Sequence, residues 1–279
     1  MPGILYVVAT PIGNLEDVTL RALRVLREVS LVAAEDTRRT ARLLQHYSIP
    51  TPTTSLHEHN ERTRTPALIE RLQRGESIAL VSDAGTPVLS DPGAWLVAAA
   101  HAAGVKVEPV PGASAAIATL SASGVMSDGF VFAGFPPSRS TARKRWLGQF
   151  TAERRAVVIF EAPHRIRALL EDMLALLGDR QLTVARELTK IHENLVVKPI
   201  SGHLEAMDHG RGEYTLVLHP ASDEQTGSAA PPDLSQVPGE FGLLTNNDGL
   251  SRRKALQTLA GKYGVSSREV YRVIEQAKK

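Results

Sequence analysis

Along the first hundred positions, apolar residues fall into short runs separated by stretches of helical periodicity. Residues 4–9 form an apolar run that predicts a strand, ended by the loop Thr10-Pro11-Ile12-Gly13-Asn14. Leu20, Leu23 and Leu26 then recur at the spacing of one helix face. Residues 31–34 predict a second strand, closed by the polar segment 35–40. Residues 61–74 predict a helix with Leu68, Ile69 and Leu72 inward and Gly75 as its stop. A buried strand over 77–82, a helix through Trp95 and Leu96, and a strand over 105–110 continue the series. Strands alternating with helices predict an α/β fold with a mostly parallel sheet covered on both faces, because parallel neighbours are joined by crossovers.

Pro111-Gly112-Ala113-Ser114 begins a small-residue helix that Gly124 ends. A second set of strands is predicted at 130–133, 156–160, 182–186, 195–198 and 214–219. Between two of them, Ile166, Leu169, Leu170, Met173 and Leu177 mark an amphipathic helix. The pattern predicts two α/β lobes, 1–112 and 113–220, and clefts between such lobes commonly hold ligands. Residues 221–249 are rich in Ser, Pro, Gly, Gln and Asp and are expected to be a linker. Residues 250–279 predict a small helix-turn-helix-like domain, with helices at 251–262 and 267–278 around Gly264. Ser266 or Ser267 is placed to cap the second of these, with Glu269 in its first turn.

Charge changes this picture in one respect. The formal net charge is only +2, but residues 250–279 hold eight Lys and Arg against two Asp and Glu, a net +6 on a body of −4. A basic tail on an acidic body points to a nucleic-acid partner. The chain has no cysteine, which excludes disulfides and thiolate metal ligands. The start lacks a basic n-region with a long apolar run, and the small apolar run near 94–103 is too short to span a bilayer, so a cytoplasmic protein without a membrane partner is expected.

No G-x-G-x-x-G opens a helix, and neither G-K-[ST] nor H-E-x-x-H occurs. His57-Glu58-His59 alternates as a metal-binding pair on a strand would, although a polar loop is the commoner origin of that pattern, and no metal is expected. The segment Ser82-Asp83-Ala84-Gly85-Thr86-Pro87 directly follows a strand, where open parallel sheets bind ligands. There Asp83 is placed to accept from ribose hydroxyls or backbone amides, Gly85 permits positive φ, and Pro87 stiffens the exit. The loops 10–14 and 111–115 share this style, and three such loops in one lobe point to a binding site.

These loops occur in order with Ala34-Glu35-Asp36-Thr37-Arg38, Leu56-His57-Glu58-His59-Asn60-Glu61, Asp91-Pro92-Gly93 and Arg186-Glu187-Leu188-Thr189-Lys190. Over residues 4–219 the set resembles the tetrapyrrole methylase superfamily, in its branch acting on ribosomal RNA ribose. The resemblance implies S-adenosylmethionine held folded between two α/β lobes, a homodimer, and methylation of the ribose 2′-hydroxyl of a cytidine in the decoding region of 16S rRNA within the 30S subunit. It also implies cofactor contacts at Pro11, Ile12, Asp83, Gly85, Thr86, Ser114, Ala115 and Ala162. The segment from about 243 resembles a small helical domain that some members carry.

Transfer to a hydroxyl needs alignment and removal of a proton. Glu187 is the candidate base, and Lys190 the candidate cation for a phosphate or the developing alkoxide; the alternative is an Arg–Glu–Lys cluster that holds the lobe together. Arg38, Arg39, Arg165, Arg252 and Arg253 are candidate RNA contacts, against solvated or helix-capping roles. Two rival functions are a same-fold methyltransferase acting on a tetrapyrrole precursor or diphthamide, and a non-catalytic RNA-binding assembly protein.

Overall fold

The structure is a computed structural model that describes residues 2–207, 212–221, 234–246, 250–263 and 265–277. The chain forms two compact units, residues 1–222 and 223–279. In the first, β1 (Ile4–Val8), β2 (Leu31–Ala34), β3 (Thr53–Ser55), β4 (Ile78–Val81) and β5 (Lys106–Val110) form an all-parallel sheet in the order β3-β2-β4-β1-β5. Its crossovers carry α1 (Leu20–Glu28), α2 (Thr37–His46), α3 (Glu61–Gln73) and α4 (Ala94–Ala102). Alternate strand residues supply opposite faces. Val8, Val32 and Val81 pack under α1 and α2 with Val25, Leu26 and Leu44, while Leu5, Leu31 and Leu80 pack under α3 and α4 with Leu68, Leu72 and Leu96. β2 leads on to β3 at one edge and β4 to β5 at the other, so a crevice opens where their loops diverge.

A second sheet, with order β6-β7-β10-β8-β9, joins β6 (Phe130–Gly134), β7 (Ala156–Glu161), β8 (Gln181–Arg186), β9 (Asn194–Pro199) and β10 (Tyr214–Leu218). Only β6 and β7 run parallel; the other pairs are antiparallel because β8 turns directly into β9 and β10 inserts between β7 and β8. One face is covered by α6 (Ser140–Gly148), α7 (Ile166–Leu177) and α8 (Ile200–Ala206), and the other by α5 (Ala115–Ala122), whose Ala116 packs on Ala156, Val158 and Val217. Among the described residues no helix is long and apolar enough to cross a membrane.

The second unit corrects one expectation. The stretch 221–249 was expected to be linker, yet it contains α9 (Val237–Asn246), which joins α10 (Arg252–Tyr263) and α11 (Ser267–Gln276) around Val237, Phe241, Ala255, Leu259, Val270 and Ile274. Val237, Phe241 and Leu244 have helical spacing, a signal that the surrounding Pro, Gly and Asn residues mask. Three helices bury an apolar centre that two short ones would leave exposed. Ser266 caps α11 in a reciprocal capping box with Glu269.

Candidate active site

The three loops singled out by sequence are bonded to one another. Thr10 and Gly85 exchange both backbone hydrogen bonds, at 2.9 and 3.0 Å. The Thr10 hydroxyl donates to the Ser82 carbonyl at 3.3 Å, and the Thr86 hydroxyl to the Ala113 carbonyl at 3.2 Å. Gly85 has φ +81°, the conformation its residue type permits, and a Cβ there would press on Ile12. Val88 and Ser90, just beyond, hold φ at 75° and 68° without being glycine. Such backbone strain concentrates at ligand sites, where surrounding structure enforces it.

These loops wall a cavity of about 370 Å³ between the two sheets. From the first sheet come Ile12, Glu35, Asp83, Gly85, Thr86 and Asp91; from the second come Ser114 and Ala115 at the start of α5, then Phe132, Phe160, Glu161, Ala162, Leu188 and Tyr214. Phe160 sits 5.1 Å from Phe132 and 5.5 Å from Phe135, ring centre to ring centre, giving the cavity an aromatic cluster beside the acidic residues of the first sheet's loops.

The acidic wall is crowded. Glu35 accepts from the Asp83 amide at 3.1 Å, and burial raises its pKa. Asp83 accepts from the Asp36 amide at 2.9 Å. Burial, and then the neighbouring Glu35, push Asp91 up from 3.8 to about 6. Across the cavity Glu161 is almost fully buried, and burial raises its pKa as well. One of its oxygens accepts from the Ala162 amide at 2.8 Å, while Oε2 is buried without a hydrogen-bond partner among the described residues.

Asp91 therefore makes stability depend on pH. Its folded pKa lies above the unfolded value, so the folded state holds the proton longer and loses stability as pH rises from about 4 through about 6. Asp91→Asn is expected to be more stable than the native chain by about 1–2 kcal/mol at roughly pH 8, a figure discounted for partial solvent access. The difference vanishes below roughly pH 4. Urea titrations at both pH values measure it.

The structure brings Ile12, Asp83, Gly85, Thr86, Ser114, Ala115, Ala162 and Arg39 to the cavity wall. Pro11 lines an adjoining hollow instead. Glu187 and Lys190 lie beside the wall, flanking Leu188 in a loop where Glu187 and Thr189 have φ of 52° and 65°. Lys190 Nζ donates to Glu187 Oε1 at 2.9 Å and to Glu213 Oε2 at 3.2 Å, and Glu187 Oε1 also accepts from the Glu213 amide at 3.1 Å. The Lys190 hydrogen bond lowers the Glu187 pKa; although burial opposes it, the two carboxylates raise that of Lys190. The pair is thus held ionised.

Arg38 is exposed and paired with Asp36 at 2.8 Å, outside the cavity. Arg165 differs from expectation. Its guanidinium turns inward, donating to the Pro136 carbonyl and lying 3.2 Å from Glu161, so it neutralises a buried carboxylate instead of facing an RNA phosphate. Arg252 and Arg253 belong to the second unit, where Arg252 stacks over Phe241 and lies 3.9 Å from Glu275. Sequence reasoning did not assign Glu35, Asp91, Phe132, Phe160, Glu213 or Tyr214 to the site. The signal for the first two was present, since Glu35 and Asp91 stand within the motifs Ala34-Glu35-Asp36-Thr37-Arg38 and Asp91-Pro92-Gly93.

A family model for tetrapyrrole (corrin/porphyrin) methylases matches residues 4–202. The chain belongs to this family. Within it, the chain is 45% identical to ribosomal RNA small subunit methyltransferase I of Synechocystis sp., over 97% of both chains. It is 43% identical to the protein of that name from Haemophilus influenzae, over 97% of this chain and 96% of the other. The Pseudomonas aeruginosa protein is 52% identical over 71% of each. The methylase fold is also similar to solved diphthine synthase, with a TM-score of 0.58 and 16% identity over 78% of this chain and 90% of that one. Uroporphyrin-III C-methyltransferase from Thermus thermophilus, solved with S-adenosylhomocysteine, gives 0.55 and 20% over 78% and 97%.

The methylase cavity fits the sulfonium donor of such enzymes on its own chemistry. Aromatic faces and nearby carboxylates favour a cation. The partnerless Glu161 Oε2 wants a donor, such as an amino or hydroxyl group. Gly85 lines this cavity without a Cβ, leaving its backbone open to close approach by a ligand.

Proposed function

We propose that this methylase transfers a methyl group from S-adenosylmethionine to the ribose 2′-hydroxyl of a cytidine in the decoding region of 16S rRNA, within the 30S subunit. The observation that carries the reading is similarity to ribosomal RNA small subunit methyltransferase I along 97% of the chain, second unit included. The acidic and aromatic cavity supports the donor. The active species in this reading is a cytoplasmic homodimer, for which exposed Ile117, Met126 and Phe135 supply apolar surface.

When bound, S-adenosylmethionine supplies an electrophilic methyl group on positively charged sulfur. The chain's part is alignment and stabilisation of charge: as the hydroxyl oxygen takes the methyl group and the sulfur keeps the electron pair of the broken bond, the hydroxyl proton is released to solvent. Loops 10–14 and 82–87, cross-bonded through Thr10 and Gly85, fix the donor side of the cavity. Phe132, Phe160 and Tyr214 line the cavity from the second sheet. Protonated Lys190, at the wall beside Leu188, steadies negative charge growing on the attacking oxygen.

Glu187, the candidate base on sequence grounds, is better suited in this proposal to positioning Lys190, because its lowered pKa makes it a weak proton acceptor. Glu187→Gln is expected to lower kcat about tenfold with donor affinity unchanged; a general base would cost roughly 10²- to 10⁴-fold. Single-turnover transfer and calorimetry separate these outcomes.

The functional reading is tested by titrating S-adenosylmethionine calorimetrically, then offering labelled donor to 30S subunits and, separately, to a uroporphyrin-type precursor. Label in RNA supports it. Label in the tetrapyrrole, or donor binding with no transfer, favours a rival.

A further inference from the structure

Beside the donor cavity lies a second hollow of about 170 Å³, lined by Pro11, Leu15, Leu43, Arg39 and Arg42 and sharing Arg39 and Asp83 with the larger one. Arg39 and Arg42 stand three residues apart on α2, so they project from one face, while Leu43 turns to the core. The facing wall is held by Tyr47, whose hydroxyl donates to the Leu15 carbonyl at 2.6 Å. Arg38 next door is committed to Asp36 at 2.8 Å. Arg39, by contrast, is 62% exposed and only 3.5 Å from Asp83, and Arg42 makes no ion pair among the described residues.

We propose that this hollow is the subsite for one phosphodiester-linked nucleotide of the acceptor RNA strand, with Arg42 and Arg39 gripping its phosphate. The proposal rests on the RNA reading above and extends it to named groups. The Arg42 guanidinium, without an ion pair among the described residues, and that of Arg39, paired only with Asp83 at 3.5 Å, suit a phosphate carried on a sugar, since Arg forks match phosphate oxygens and Pro11 and Leu15 offer apolar contact to the ribose or base edge. Asp83 repels an anion from the shared wall, which sets the phosphate on the Arg42 side and leaves Arg39 bridging carboxylate and phosphate. The hollow is too small for a whole donor molecule but adequate for one nucleotide's phosphate and sugar. A strand anchored there is led across Arg39 and Asp83 into the cavity where transfer occurs, so Arg42 is a positioning residue for the acceptor and not for the donor.

The test compares the full chain with Arg42→Ala, Arg42→Lys and Arg64→Ala, the last an exposed arginine of α3 that lines neither hollow. Methyl transfer to 30S subunits prepared without the modification is followed against RNA concentration and salt, with donor affinity read by calorimetry. Arg42→Ala is expected to raise KM for RNA about tenfold, leave kcat and donor affinity within twofold, and reduce the salt slope by about one. Arg42→Lys should recover part of the loss, and Arg64→Ala should match the native chain. If the native chain transfers methyl groups to RNA while Arg42→Ala keeps its KM and salt slope, the subsite is wrong and the functional reading stands. If Arg42→Ala loses donor affinity equally, its role is structural and the proposal also falls. If the native chain neither binds nor methylates RNA, both fall together.

Discussion

Replacing Gly13 by valine is expected to lower methyl transfer about 100-fold while the sheets remain folded. A Cβ at Gly13 would lie 2.5 Å from Lys190 Cγ, 2.8 Å from Thr189 Oγ1 and 2.9 Å from the Leu188 carbonyl oxygen. The last is backbone, in a loop already held at positive φ, so it has little room to yield. The Asn14 amide donates to Thr189 Oγ1 at 3.0 Å, so the same strain breaks the bond that couples the two loops. Ile12 and Leu188 line the cavity from these loops and must separate. A displacement of roughly 1 Å at reacting groups costs about 100-fold in rate. The buried apolar clusters lie elsewhere, so Tm should fall by less than about 5 °C. Parallel measurement of kcat/KM and Tm checks the claim. A fully active variant would show that the loops do not need their close approach.

Asp83→Ala is expected to weaken S-adenosylmethionine binding about 50-fold and to lower stability as well. Loss of a charge-assisted hydrogen bond from the cavity wall costs about 1.5–3 kcal/mol, which spans that factor. The stability loss has a separate cause. Asp83 accepts from the amide of Asp36, the residue that caps α2, and truncation leaves that half-buried N–H unpaired. Asp83→Asn keeps an acceptor and removes the charge, so it should recover most of the stability but only part of the affinity. Calorimetry and urea unfolding on the two variants separate the effects. Equal donor affinity in all three proteins would remove Asp83 from the site.

Much of this arrangement was legible in the sequence because it is local. A strand followed at once by Asp83, Gly85 and Pro87 announces a ligand loop, and the strand–helix alternation of the first hundred residues announces a parallel sheet. What escaped depends on long-range pairing. Lys190 meets Glu213 only because β10 aligns Tyr214 with Arg186 of β8, a register that sequence spacing does not reveal. Phe132 and Phe160 resemble core strand residues, and become cavity wall because β6 and β7 bring their rings together at its edge. Arg165 looked available to RNA, but Glu161, four residues earlier and buried, draws it inward. The helix Val237–Asn246 was hidden by composition: its apolar contacts are spaced correctly, but Pro238, Gly239 and Gly242 lower the helical signal around them.

The central claim is tested most directly by the chemical form of the methylated product. The full chain is incubated with methyl-labelled S-adenosylmethionine and 16S rRNA in 30S subunits from cells lacking this protein; the RNA is then digested to nucleosides and analysed by mass spectrometry. The account predicts label in 2′-O-methylcytidine from the decoding region. Label on a base, in another nucleoside, or in no RNA at all would contradict it.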